Sequence, residues 1–437
     1  MMKKHAKRLV ALTMAMMLGA TTLTNVVGFY AEGEDPLSRI YGMLSQTVEN
    51  PETAAEFTER AEIEIGQQNY DSALEDLEKA RELTDETDID ALCTLWLRSA
   101  SVHFLSGAYA DARECVDSAL ACNPDSAQAQ LFSAQLYLTD GDSESAVTAL
   151  EKYVALSPED LSTRETLAQL YEEVERYSDA AEAYAKLYTD APEEDAYWIN
   201  ALRCQFINGD YESALTGFDA YLADETKAES EYRGIAAFLA AACVMQQGEY
   251  ASAVERFRAA AAEGYDEASC YEQMVACSFE AGLYEDVVAL SEEIDQKEWT
   301  LADEASYRQY VGVALIQLER NEEAVEALTK AIEANAELPG NYYYRGVALL
   351  SLERCEEAAA DFTKSIEQEY QPLYSYYNRG VCRIHLNDYE TALDDFGVVL
   401  EGDDADLIQA AKDVLWQLAD YYENQTTETT EANPTEE

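Results

Sequence analysis

Residues Tyr342–Phe362 read YYYRGVALLSLERCEEAAADF, and residues Tyr376–Phe396 read YYNRGVCRIHLNDYETALDDF. The two lines keep one register, thirty-four residues apart: Arg345-Gly346 lies over Arg379-Gly380, and Ala358 lies over Ala392. Working outward, the same step joins Ala112, Ala146, Ala180 and Ala214, then Ala253 and Val287, then Ala324, Ala358 and Ala392. Ala73 precedes the series by a slightly longer step. Pro124, Pro158 and Pro192 keep the same time, three of the eight prolines in one register, which chance rarely produces. The period has room for two helices of about a dozen residues and their turns. In LWLRSASVHFLSGAYADARECVDSALACNP, from Leu95, Ala100 falls on the first helix and Ala112 on the second, with SGAY as the turn between them. Small residues at both points let the helices approach closely, while Trp96, Val116 and Ala119 fill the space around the crossing.

This pattern resembles the tetratricopeptide repeat family, whose repeat carries small residues at positions 8 and 20, aromatic residues at 4, 11, 17 and 24, and proline at 32. Ten repeats start at Ala54, Cys93, Ala127, Leu161, Asp195, Gly234, Ala268, Ala305, Pro339 and Leu373. Position 8 is Ala61, Ala100, Ala134, Ala168, Ala241, Gly312, Gly346 or Gly380 in eight of them. The exceptions are Leu202 and Val275, and the repeat with Val275 also has Val287 at position 20, so the seventh repeat is expected to be the most splayed. The resemblance covers about four-fifths of the chain. It implies an all-α fold: a right-handed α-solenoid of stacked helix-turn-helix repeats with terminal capping helices. Extra residues before Cys93, Gly234 and Ala305 are the expected places for a bend, with ADETKAESEYR (from Ala223) the foremost.

The resulting organisation has a signal peptide or uncleaved anchor at 1–31, a lead-in helix at 32–53, repeats one to five at 54–228 and repeats six to ten at 229–406. A capping helix at 407–423 covers the apolar end of the stack, as such arrays require. The tail at 424–437, without an apolar period, is expected to be disordered.

The chain has 29 basic and 87 acidic residues in 437, a net charge of −58. Such a surface repels nucleic-acid backbones and anionic lipid. At the N-terminus, Lys3, Lys4, Lys7 and Arg8 precede the apolar run LVALTMAMMLGATTLTNVVGFYA, the pattern of an export signal, with Gly28 or Ala31 as the cleavage position. Membrane attachment is expected only if this segment stays uncleaved. Its removal leaves 25 basic and 87 acidic residues, a net charge of −62.

Chemistry is scarce. The three histidines are His5, within the signal, and His103 and His385, eight repeats apart. That spacing removes histidine-assisted nucleophiles and most zinc sites. No phosphate-binding glycine loop occurs, and TDGDSES at Thr139 lacks the spaced ligands of a calcium loop and reads as a turn. No catalytic, cofactor or metal residue is therefore assigned. Of nine cysteines, Cys204, Cys243, Cys277 and Cys382 share position 10, where the family has a small buried residue, so they are expected to be free thiols. Cys270 and Cys277 would lie about 10 Å apart on one helix, too far to bridge.

Arginine at position 7 occurs only in repeats one, nine and ten, as Arg60, Arg345 and Arg379. Aspartate at position 23 occurs only in the same three, as Asp76, Asp361 and Asp395. The pattern predicts an ion pair between the two helices of each repeat.

In the family, partners dock on the concave face through positions 2, 5, 9, 12 and 13. On that resemblance the candidate partner-binding residues are Leu97, Phe104, Leu131, Arg203, Phe206, Phe238, Tyr343, Tyr374 and Tyr377, with Leu138, Ile199 and Phe279 in the same strip. Aromatic anchors of this kind are frequent binding hot spots. The Lys and Asn clamp by which some members hold chaperone tails is missing. The function implied is a non-enzymatic, exported scaffold for a protein or peptide partner. The alternative is a surface glycan-binding module built on the tyrosines at 342–344 and 374–377.

Overall fold

The computed structural model describes residues 41–431, apart from 42, 43, 46, 47 and 298. The expected signal or anchor, most of the lead-in helix and the last six residues of the tail lie outside the described residues. Twenty-one α-helices and no strand make up the described chain. They run α1 (Ala54–Gly66), α2 (Tyr70–Leu83), α3 (Ile89–Ser106), α4 (Tyr109–Cys122), α5 (Ala127–Asp140), α6 (Ser143–Leu156) and α7 (Leu161–Glu173). Then come α8 (Tyr177–Asp190), α9 (Asp195–Ile207), α10 (Tyr211–Ala223), α11 (Arg233–Gln246), α12 (Tyr250–Ala262), α13 (Glu267–Glu280) and α14 (Tyr284–Lys297). The last seven are α15 (Glu304–Gln317), α16 (Asn321–Ala334), α17 (Asn341–Ser351), α18 (Cys355–Glu367), α19 (Pro372–His385), α20 (Tyr389–Leu400) and α21 (Ala405–Glu431). Each repeat expected from the sequence corresponds to one odd-numbered and one even-numbered helix, and the fold is an all-α solenoid.

The crossings form where the register puts small side chains. Position 20, from Ala73 to Ala392, is fully buried in every repeat, as are Ala61, Ala100, Ala134, Ala168 and Ala241 at position 8. In repeat nine a Cβ on Gly346 would come within 2.9 Å of the Phe362 ring, so glycine is what lets α17 lie against α18. Ala112→Leu is expected to overpack the α3–α4 crossing and cost about 1–3 kcal/mol, read as a lower thermal midpoint with unchanged helical circular dichroism at 25 °C. Among the repeats whose two helices lie within one compact unit, the seventh, with valines at both points, is the most loosely packed.

The turn between paired helices has a common device that composition alone conceals. Position 15 is left-handed in all ten repeats: Gly107, Gly141, Gly209, Gly248 and Gly282 in five, but Gln68, Glu175, Glu319, Glu353 and Asn387 in the others. At the start of α6 the Asp142 carboxylate accepts from the Ser145 amide at 3.0 Å, and Gly141 just before it is left-handed; TDGDSES is thus a turn between two helices.

The three predicted ion pairs are present. The Arg60 guanidinium donates to both oxygens of Asp76 at 2.7 and 2.6 Å, Arg345 to Asp361 at 2.7 and 2.8 Å, and Arg379 to Asp395 at 3.0 and 2.7 Å. The aspartates are buried. In repeats nine and ten the same guanidinium also reaches the preceding repeat, donating to the Thr329 and Thr363 hydroxyls at 3.1 and 3.0 Å.

The chain divides into two compact units at Asp210/Tyr211. The break expected at 228/229 therefore falls instead between the helices of the fifth repeat. The intervening ADETKAESEYR segment is tied down: its Glu225–Lys227 stretch is a 3-10 turn, Tyr221 Oη donates to Ser230 Oγ at 2.6 Å, and Arg233 donates to the Leu222 carbonyl. Four of the five extra residues before Cys93 join α3, which is eighteen residues long, and the fifth, Asp88, caps it. The cap also differs from expectation. Helix α21 runs to Glu431, through 424–431 where disorder was expected, because no glycine or proline intervenes before Pro434 and an established helix gains a hydrogen bond with each added residue.

Candidate protein-docking face

On a first helix, positions 5, 9 and 12 share one face, at helical spacings of four and three. Position 5 goes mainly to packing. Leu97 is buried among Ala100, Ala112, Val116 and Phe132, and Leu131 among Val147, Leu150 and Leu167, so neither is available to a partner. Phe238 stacks on Tyr265 at 4.2 Å and meets Phe257 edge-on. Tyr343 sits edge-on to Phe362 and near Tyr370, and Tyr377 is edge-on to Phe396. At position 12, Phe104 fits between Tyr109 and Phe132. The large rings are thus mostly spent between helices.

Arg203 donates to Glu172 at 2.6 Å and is half-buried; Phe206 is also half-buried. Tyr374 is exposed, and its hydroxyl donates to Asp404 at 2.8 Å. The tyrosine faces offered for sugar stacking are partly taken. The Arg345 guanidinium lies 5.7 Å from the Tyr342 ring and that of Arg379 lies 5.2 Å from Tyr376, while the Tyr344 and Tyr370 hydroxyls bond each other at 2.9 Å.

Each compact unit presents its own first-helix face. In the N-terminal unit that face is interrupted at repeat four by Glu165, Gln169 and Glu172. Gln169 donates to Glu165 at 3.1 Å, and Glu172 is held by Arg203. The C-terminal unit differs. Position 9 of α11, α13, α15, α17 and α19 is Ala242, Ala276, Val313, Val347 and Val381; position 12 is Met245, Phe279, Ile316, Leu350 and Ile384. Every position 12 is half-buried, as are Ala276, Val347 and Val381. From α13 onward successive first helices touch, so these positions form a continuous strip. Most of these residues were not singled out from the sequence, since aliphatic side chains at 9 and 12 stand out less than rings at 5. The signal that could have found them is the absence of charge at both positions over five repeats of a strongly acidic chain.

The thiols are chemically quiet. All nine cysteines are free and all but Cys122 are buried. Burial pushes the Cys204 and Cys382 thiols up to about 12 and those of Cys243 and Cys277 to about 11, so these four stay protonated and poorly nucleophilic at neutral pH. Among the described residues, no three His, Cys, Asp or Glu side chains gather closely enough to hold a metal ion, and no helix is long and apolar enough to cross a membrane.

The sequence profile of the tetratricopeptide repeat matches residues 97–160, 165–231, 312–371 and 343–406, together just over half of the chain. The chain is a tetratricopeptide-repeat protein. Its family comprises, in general, protein–protein interaction scaffolds. No curated protein sequence matches this tetratricopeptide-repeat protein. Among solved structures, it is similar to a chain of Naa15/Naa10 bound to HypK-THB, at 14% identity and a TM-score of 0.51, covering 82% of this chain and 65% of that one. It is also similar to the C-terminal part of a tetratricopeptide repeat-containing protein from Cytophaga hutchinsonii, at 14% identity and a TM-score of 0.47, over 56% of this chain and 98% of that one. A third is MamA from Desulfovibrio magneticus RS-1, at 19% identity and a TM-score of 0.34, over 40% of this chain and 94% of that one. At these identities the likeness is one of fold.

Proposed function

We propose that this protein is an exported, non-catalytic scaffold that docks an apolar segment of a protein partner along the first-helix face of its C-terminal unit. The observation that carries the reading is the uncharged strip at positions 9 and 12 of α11, α13, α15, α17 and α19. Half-exposed aliphatic side chains in a chain with 87 acidic residues are a selective surface: they gain from burial against an apolar segment, while the surrounding charge discourages anionic partners. The Naa15/Naa10 neighbour, whose structure holds HypK, supports protein partners for this fold. The basic and apolar N-terminal run supports export, and the protonated thiols fit a binding role better than a catalytic one.

The test is selection of binding peptides from a displayed library on the full chain. Peptides so selected are expected to lose about tenfold to a hundredfold in affinity for Val347→Asp and Ile384→Asp chains, and to keep it for Glu165→Gln on the N-terminal unit. Equal affinity for all three variants would remove the strip from the function.

A further inference from the structure

Position 17, the first residue of each second helix, is tyrosine in seven of the ten repeats. Ser143 and Asn321 replace it in repeats three and eight, and Cys355 in repeat nine. Position 10 of the first helix is buried in every repeat and is cysteine in four of them, as Cys204, Cys243, Cys277 and Cys382. Tyr177, Tyr211 and Tyr250 hold position 17 in the repeats before the first three. Cys382 alone follows a repeat that has cysteine there.

The fold brings these two residues together. Helices α18 and α19 pack on each other across the junction between repeats nine and ten, and Cys355 and Cys382 share one buried cluster with Leu349, Ala358 and Phe362. Burial raises the Cys382 thiol to about 12, and the Cys355 side chain, within hydrogen-bonding reach of it, adds to the rise. Cys355 is 7% exposed and Cys382 0%, so Cys355 is the outer of the two.

We propose that Cys355 and Cys382 form a thiol–disulfide exchange site that takes an organic disulfide as co-reactant and closes a bond between repeats nine and ten. The Cys355 sulfur, as thiolate, attacks one sulfur of the donor. The donor's own sulfur–sulfur bond breaks, and the departing sulfur takes the electron pair and the proton that Cys355 gave up. The Cys382 sulfur then attacks Cys355 in the mixed disulfide, and the second donor sulfur leaves with the Cys382 proton. Two protein thiols are oxidised, and one donor disulfide is reduced to two thiols. Cys382 is a weak nucleophile toward a molecule in solution, but this step is intramolecular, between side chains already held together. The donor reaches Cys355 by local opening at the end of the array, where repeats have fewer neighbours to lean on. The site does not depend on the first-helix strip.

The full chain is to be held with oxidised glutathione in native buffer, its remaining thiols alkylated, and the unreduced digest read by mass spectrometry. A peptide joining Cys355 to Cys382 is expected. The link should raise the thermal midpoint of the C-terminal unit by about 4–12 °C, and a reductant should reverse the rise. Cys382→Ala installs the residue that repeats eight and nine carry at position 10, Ala314 and Ala348, both fully buried. In that chain Cys355 should stop at the mixed disulfide with glutathione. In Cys355→Ser no link should form, and Cys382 should stay a free thiol. Alkylation at both positions of the native chain would overturn the proposal. So would a mixed disulfide at Cys355 that persists beside Cys382, or linkage of either residue to another cysteine.

Discussion

Asp361→Ala is expected to destabilise the C-terminal unit by about 3–5 kcal/mol, because it leaves the Arg345 guanidinium in a partly buried site without its carboxylate. Asp361 is 5% exposed and accepts two short bonds from Arg345, whose third contact, to Thr329, crosses to the repeat before. The loss should therefore loosen both the α17–α18 crossing and the seam with α16. For a unit of this size the thermal midpoint should fall by roughly 6–20 °C. Amide exchange in α17 and α18 should accelerate before that of α11 and α12, since repeat arrays open locally. The control lies within the molecule: repeat seven has Met274 and Leu290 at these two positions, 0% and 2% exposed. The double change Arg345→Met with Asp361→Leu should thus cost far less than Asp361→Ala alone. Equal losses in the two variants would show that volume, and not an orphaned charge, governs the site.

Phe362→Ala carries a similar expected cost, about 3–5 kcal/mol, by a different route. Its ring is fully buried, lies against the space that Gly346 leaves open, and packs with Leu349, Ala358 and Tyr343. Truncation removes that surface from the core and leaves a void that α17 cannot fill without sliding, because a glycine has no side chain to relax inward. Urea unfolding followed by circular dichroism should show an earlier transition for the C-terminal unit. The two substitutions are adjacent and share α18, so their effects are not expected to add. A cost below about 1 kcal/mol would mean that the crossing collapses around the gap.

The fold was largely legible because two helices can approach closely only where side chains are small, and such positions repeat with the period of the structure. Ala112, Ala146 and their counterparts state that period directly. The ion pairs were legible for a related reason: Arg60, Arg345 and Arg379 occur only where Asp76, Asp361 and Asp395 answer them. The candidate face was less legible. Phe238 and Tyr343 have the size and apolarity of docking residues, but packing between helices asks for the same properties, and only the positions of neighbouring rings separate the two uses. The left-handed turns at Glu319 and Glu353 were hidden because glutamate gives no hint of that backbone form. The division at Asp210/Tyr211 was hidden for another reason: extra residues before Gly234 suggested a hinge, whereas Ser230 and Arg233 anchor that segment.

The distribution of the internal arginine–aspartate pairs along the chain bears on how the array comes apart. A terminal repeat leans on one neighbour where an inner repeat leans on two, so unravelling begins at the extremities. The pairs stand in the first repeat and in the last two, and each fastens a repeat's own helices together. They raise what a repeat can hold unaided, where support from next door is thinnest. The middle, from the second repeat to the eighth, relies on its neighbours, and the chain is in effect hemmed at both edges.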